Sequence, residues 1–161
     1  MHHETIILGA GASGLLCALQ AATRGRDVLV IDHASTAGAK IRVAGGGRCN
    51  VTNLLADASG YLCSNPHFVK SALARFTPWD AYSLFADLGI PLVEENKGRV
   101  FTDLGKKGGR RLADALLAEA QNRGAQFLLD VTVEDVTHEA GTFRVHLPGE
   151  SFSSQSLVLA L

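Results

Sequence analysis

TIILGAGASGLLCALQAATRGRDVLVID, Thr5 to Asp32, decides the fold. Thr5–Leu8 is a short apolar-leaning run and reads as a buried strand. Gly9-Ala10-Gly11-Ala12-Ser13-Gly14 follows at once and opens a helical pattern, with Leu15, Leu19 and Ala22 on one face and Gly25 as the stop. Val28–Asp32 is a second apolar run. Strand, helix and strand in this order imply parallel pairing and a right-handed crossover. The string G-x-G-x-x-G is weak alone; between a strand and a helix it is in the context it requires. Gly9 permits the tight turn, Gly11 lets backbone approach a pyrophosphate, and Gly14 lets helix and strand pack closely. The helix N-terminus offers free N–H groups and a positive dipole end to phosphate.

Asp32 ends the second strand, eighteen positions after Gly14. The dinucleotide fingerprint expects an acid about 20 residues on, accepting from a ribose hydroxyl. The competing reading is a turn cap, because IDHAST can begin a turn. Strand end, spacing and residue type together favour the ribose. An acid there disfavours a 2′-phosphate, which leaves NAD or FAD. His33 follows directly and is placed to touch the adenosine.

From His33 to about Asn65 no periodicity holds, and five glycines fall there. Such a segment inside a compact domain is functional or disordered. The triplet Gly45–Gly47 favours function, because glycine costs roughly 0.5–1 kcal/mol relative to alanine inside a regular element. Lys40, Arg42 and Arg48 bring positive charge to this loop, and Arg48 could pair bidentately with phosphate. Farther on, NPHFVKSALARF reads as a helix with Pro66 in its first turn. TPWDAYSLFADLG reads as another, capped by Thr77, with Pro78 at its first position. PLVEENKGRVF suggests two strands about a turn at Asn96–Gly98. GRRLADALLAEAQNRG is an amphipathic helix and AQFLLD a strand. Residues from about 131 to 161 read as a β-meander with turns at Ala140–Gly141 and Pro148–Gly149. Parallel and antiparallel linkage in one chain predict an α/β fold: a three-layer Rossmann-like dinucleotide-binding domain of parallel sheet, helix layer and meander.

The string GAKIRVAGGGRCNVTN, with ILGAGASGLLCA, GRVF at Gly98–Phe101, GAQFLLDVTVEDV and the final LVLAL, resembles the BaiN/YhiN-like bacterial flavoproteins, NAD(P)/FAD-dependent oxidoreductases. The resemblance covers essentially the whole chain. It implies a glutathione-reductase-like domain holding extended FAD, a flavin-dependent oxidoreductase as the parent protein, NAD(P)H as electron donor and a small-molecule substrate. By position it implies that Gly11, Ala12, Ser13 and Gly14 meet the pyrophosphate and Asp32 the adenosine ribose. Lys40 and Gly46, Gly47, Arg48, Cys49 and Asn50 would lie along the phosphates and toward the flavin. Val133, in the strand after GAQFLLD, would pair its backbone with the adenine edge. The chain departs from the family at Thr102, where proline is usual, in the basic stretch TDLGKKGGRR, and at Leu161, where threonine is usual. No catalytic acid or base is readable.

Composition bounds the rest. The 161 residues are 47% hydrophobic with a formal charge of −1, which argues against nucleic acid and an anionic membrane as partners of the chain as a whole. No apolar run approaches ~20 residues. Three cysteines without C-x-x-C spacing argue against a disulfide framework and metal, and for a reducing cytoplasm. Cys63 lies fourteen positions from Cys49, too far for the C-x-x-x-x-C redox pair of flavin disulfide reductases. The rival reading is a non-catalytic dinucleotide- or RNA-binding module, supported by Lys106, Lys107, Arg110 and Arg111. The chain is expected to be the FAD-binding portion (1–161) of a longer protein, without substrate domain or C-terminal return segment, inactive alone and able to self-associate through the surface thereby exposed.

Overall fold

The computed structural model describes residues 1–161. The chain divides into two compact units, one formed by Met1–Ile41 with Ala113–Leu161, the other by Arg42–Leu112.

The first unit is built on strand β1 (His2–Leu8), helix α1 (Ala12–Thr23) and strand β2 (Val28–Ile31), the β-α-β unit expected from the sequence. Thr5 to Leu8 of β1 pair in parallel with Val28 to Ile31 of β2. Alternation then sets two faces. Ile6, Leu8, Leu29 and Ile31 face one way and are buried. Ile7, Val28 and Val30 face the other, where α1 packs with Leu15, Ala18, Leu19 and Ala22 buried.

The later elements complete both layers. Helix α5 (Gly108–Asn122) precedes β6 (Gln126–Leu128), which extends the parallel sheet beside β2. Strands β7 (Asp135–Glu139), β8 (Thr142–Leu147) and β9 (Glu150–Leu159) form the meander. Its turns fall at the two glycines expected, Gly141 and Gly149, both at positive φ. β9 is the joint. Ser153 and Ser154 pair antiparallel with β8 on one side and parallel with His2 and His3 of β1 on the other. The sheet therefore runs β6-β2-β1-β9-β8-β7 without a break. The meander also covers one face of the parallel strands: Val145, Leu147 and Phe152 pack with Ile6, Leu8, Leu29 and Ile31. Each such side chain contributes roughly 1.5–3 kcal/mol on burial.

The meander starts later than its sequence pattern. Residues 129–134 lie outside any strand, so Val133 is not the strand residue the sequence suggested. Asp130 adopts a left-handed φ of 61°. Asp130 N–H donates to Ala34 C=O and Val131 N–H to Asp32 C=O, which draws this segment off the ladder and across the exit of β2.

The second unit holds a three-stranded antiparallel sheet of β3 (Asn50–Asn53), β5 (Arg99–Thr102) and β4 (Leu92–Glu95). α4 (Pro78–Asp87) starts as read: Thr77 and Asp80 form a reciprocal capping box with Pro78 behind the cap. α3 (Lys70–Arg75) is shorter than NPHFVKSALARF suggested, and Pro66 is not in its first turn. Asn65 is the reason. Its Oδ1 accepts from His67 N–H and its carbonyl from Phe68 N–H, a local turn that competes with helix. α2 (Ala39–Val43) and β3 interrupt the segment 33–65, which had shown no periodicity.

Ile6→Ala should lower unfolding free energy by about 2–5 kcal/mol in urea titration, because Ile6 is fully buried between the layers. Leu62→Ala, at a side chain 98% exposed, should change it by less than about 0.5 kcal/mol.

Candidate functional site

The turn from β1 into α1 is held by contacts that only glycine tolerates. Gly9 has φ 106°, and a Cβ on it would sit 2.5 Å from the Ala160 carbonyl oxygen. A Cβ on Gly14 would lie 1.8 Å from the Gly9 carbonyl oxygen, so helix and strand meet there backbone to backbone. Gly11 differs: its Cβ would meet nothing within 4 Å. Its missing side chain leaves an open approach to the start of α1. There the helix has no side-chain cap and no acid in its first turn. The first-turn amides of Ala12, Ser13 and Gly14 begin a helix and cannot be satisfied within it. That is the arrangement that receives an anion. Ser13 Oγ reaches the Ala160 carbonyl at 3.4 Å.

Asp32 sits at the end of β2, and its carboxylate is fixed by two backbone donors. Oδ2 accepts from Ala10 N–H at 2.5 Å and Oδ1 from Ala34 N–H at 2.8 Å. Both readings of Asp32 thus have a physical basis: it stabilises the turn, and a carboxylate with two oxygens retains further acceptor capacity. The exposed ring of His33 lies 3.3 Å from Asp32 Oδ1.

Two clefts meet at this carboxylate. One, about 210 Å³, is lined by Gly9, Ala10, Gly11, Asp32, His33 and Lys40, with Ala160 and Leu161 at its side. The other, about 580 Å³ and largely apolar, is walled by Leu8, Ile31, Asp32, His33, Leu157 and the segment from Val131 to Val136. The smaller cleft has the glycine-rich, helix-start character a pyrophosphate needs. The apolar one suits a planar base, and Val133 is in its wall. An adenosine diphosphate moiety fits this donor set, with Asp32 between its two ends. Beyond Val133, which the family resemblance put at the adenine, the sequence held no signal for the apolar wall, because Val131–Val136 becomes a wall only after Asp130 and Val131 are tied to the exit of β2.

The other residues singled out in the sequence lie in the Arg42–Leu112 unit. Gly45, Gly46 and Gly47 take φ values of 55°, 67° and 90°, and Cys49 follows at 57°. This left-handed run, and a hypothetical Gly47 Cβ only 2.5 Å from the Lys106 carbonyl oxygen, explain the triplet structurally. The Arg48 guanidinium is hydrogen-bonded to Glu95 and stacks over Phe101 at 4.6 Å; sequence alone did not reveal Glu95 as its partner. Thr102, where proline was expected, donates from Oγ1 to the Arg48 carbonyl at 2.6 Å and is buried. Cys49 is buried, which raises its thiol above the usual range. Cys17, on α1 in the first unit, is half-buried and raised for the same reason. Asn50 is exposed at the start of β3.

A mixed sheet with a glycine turn, an uncapped helix start and an acid at the end of β2 defines a Rossmann-type dinucleotide-binding domain. The chain belongs to the HI0933-like protein family, whose Rossmann domain it matches over residues 3–161, so the family expectation drawn from GAKIRVAGGGRCNVTN stands. Two curated relatives carry the name ribosomal RNA dihydrouridine synthase. That of Haemophilus influenzae is 46% identical over 84% of this chain and 33% of its own length. That of Escherichia coli K12 is 40% identical over 98% of this chain and 38% of its own. The chain thus spans about a third of the length of these relatives. Among solved structures, the halogenase PltM in complex with phloroglucinol and FAD superposes with a TM-score of 0.55 at 17% identity, over 99% of this chain and 34% of that one. No helix is long and apolar enough to cross a membrane.

Gly11→Ala should leave the thermal midpoint within about 2 °C, since the added methyl meets open space. Gly14→Ala should lower it by well over 5 °C, because the methyl has no room against Gly9. Labelling of the native protein by a thiol reagent should reach exposed Cys63 first and Cys49 only on unfolding.

Proposed function

We propose that this chain is the FAD-binding domain of a flavin-dependent reductase that takes electrons from NAD(P)H and reduces a uridine of ribosomal RNA. The observation that carries the reading is the pair of rRNA dihydrouridine synthases at 46% and 40% identity, aligned over 84% and 98% of this chain. The site supports the cofactor. Gly11 and the first turn of α1 would hold the pyrophosphate, Asp32 the ribose, and the apolar wall with Val133 the adenine, with Lys40 at the phosphate cleft. Bound flavin supplies hydride chemistry. This chain's residues bind and orient the adenosine end of the cofactor and leave its redox end to be positioned by other contacts. Gly46 to Asn50 are proposed to line the cofactor's path through their backbone, Arg48 being engaged by Glu95. Cys49, buried and without a redox partner, packs and does no dithiol chemistry. On this reading the protein works in the cytoplasm, where it would meet ribosomal RNA.

The test uses the protein at its full natural length. It should purify yellow, oxidise NADH or NADPH, and convert uridine in unmodified rRNA to a product heavier by two hydrogens in nucleoside mass spectrometry. A colourless protein, or a yellow one that oxidises NAD(P)H without changing rRNA, contradicts the cofactor or the substrate respectively. Gly11→Val should abolish FAD retention while the fold persists, because the new side chain enters the open approach to α1. Asp32→Ala should weaken FAD binding about 10- to 150-fold in a titration of apoprotein, the loss of a charged hydrogen bond.

A further inference from the structure

The formal charge of −1 conceals a division. The unit Arg42–Leu112 carries ten Lys and Arg against six Asp and Glu, a net +4. The remainder carries five against ten, a net −5. Exposed aromatic side chains divide the same way: Tyr61, Phe68, Phe76 and Trp79 all lie in the basic unit. Their exposures run from 41% to 74%, high for rings that a soluble domain usually buries. In this unit an open groove of about 390 Å³ is lined by Tyr61 and Phe76 together with Asn50, Thr52, Asn53 and Leu73. Two exposed cations lie on the helix that supplies Leu73: Lys70 stands one turn before it on α3, and Arg75 directly precedes Phe76.

We propose that this groove holds unpaired RNA, with bases stacked on Tyr61 and Phe76 and the strand's phosphates met by Lys70 and Arg75. The proposal rests on the rRNA-reductase reading and names the surface that carries its substrate. Every base has a π-face, so exposed rings beside cations are the chemistry of single-strand binding. The Thr52 hydroxyl and the amide nitrogen of Asn53, whose Oδ1 accepts from Leu55 N–H, bring hydrogen-bonding groups to the same groove, as base edges displayed in a loop require. The net charge of +4 makes a polyanion the complementary occupant. An apolar protein segment would cover the rings but leave these cations without a counter-charge.

The test is fluorescence anisotropy of the 161-residue chain with a labelled single-stranded uridine-rich 20-mer RNA, without NAD(P)H and across a salt series. Single-stranded RNA should bind, more tightly than a duplex of the same length. Tyr61→Ala and Phe76→Ala should each weaken binding about 5- to 150-fold with an unchanged salt slope. Lys70→Gln with Arg75→Gln should weaken it and make the slope of log K against log salt shallower by about 1.4. Circular dichroism and FAD titration should be unchanged in all variants. The proposal is overturned by absence of RNA binding at low salt, by equal binding of duplex, or by groove variants that leave RNA binding intact. Variants that lower the thermal midpoint without affecting RNA show that a protein segment covers the rings and equally overturn it. If RNA binds as stated but the full-length protein makes no dihydrouridine, the reductase reading fails and the groove stands. If dihydrouridine forms while the groove variants bind RNA normally, the groove fails and the reductase reading stands.

Discussion

Everything in the first unit turns on the contact of the Gly14 α-carbon with the Gly9 carbonyl. A methyl group placed there would overlap that oxygen at 1.8 Å. Close packing at this point brings the start of α1 directly over the end of β1. It sets the first-turn amides beside the carboxyl edge of the parallel strands, where the end of β9 also arrives through Ala160. Asp32 then needs only to end the neighbouring strand to face the same opening. Its two backbone donors, Ala10 and Ala34, come from the two loops that form that opening. The carboxylate is therefore orientated before any ligand arrives, which reduces the ordering cost of binding.

The long strand β9 has a comparable role on the other side of the fold. It pairs with β1 and with β8 at the same residues, so the meander cannot shift without disturbing the parallel core. Phe152 and Val145 belong to the apolar cluster against which Val131 and Val133 of the segment 129–134 also pack. The apolar cleft is thus bounded by covalently and sterically dependent pieces, although its walls lie about 100 residues apart in sequence.

What the sequence disclosed follows from the range of the interactions. The β-α-β unit, the Thr77–Asp80 cap and the turns at Gly141 and Gly149 are set by neighbours within a few residues, and all are where the pattern put them. α3 was misjudged because the side chain of Asn65 gives the following amides a competing partner. Val133 lies outside the strand its pattern suggests because β7 begins only at Asp135, after the Asp130 and Val131 amides have turned to Ala34 and Asp32; it stays in the wall of the apolar cleft. The glycine triplet was legible as a constraint but not in its cause, since the Lys106 carbonyl that crowds Gly47 lies about 60 residues away. Arg48 looked like a free guanidinium for the same reason, Glu95 being 47 residues distant. The charge division between the units was hidden in a near-zero total and emerged only once the boundaries at Arg42 and Leu112 were known.

The central claim is that the opening between Gly9–Gly14 and Asp32 receives the adenosine diphosphate part of FAD. Amide hydrogen exchange of the chain with and without saturating FAD reads it directly. The account requires slowed exchange at the Ala12, Ser13 and Gly14 amides, in the Ala34–Lys40 loop and in the Val131–Val136 segment, with Lys70–Asp87 unchanged. Protection confined to Lys70–Asp87, or none in the Gly9–Gly14 turn at saturation, would contradict it.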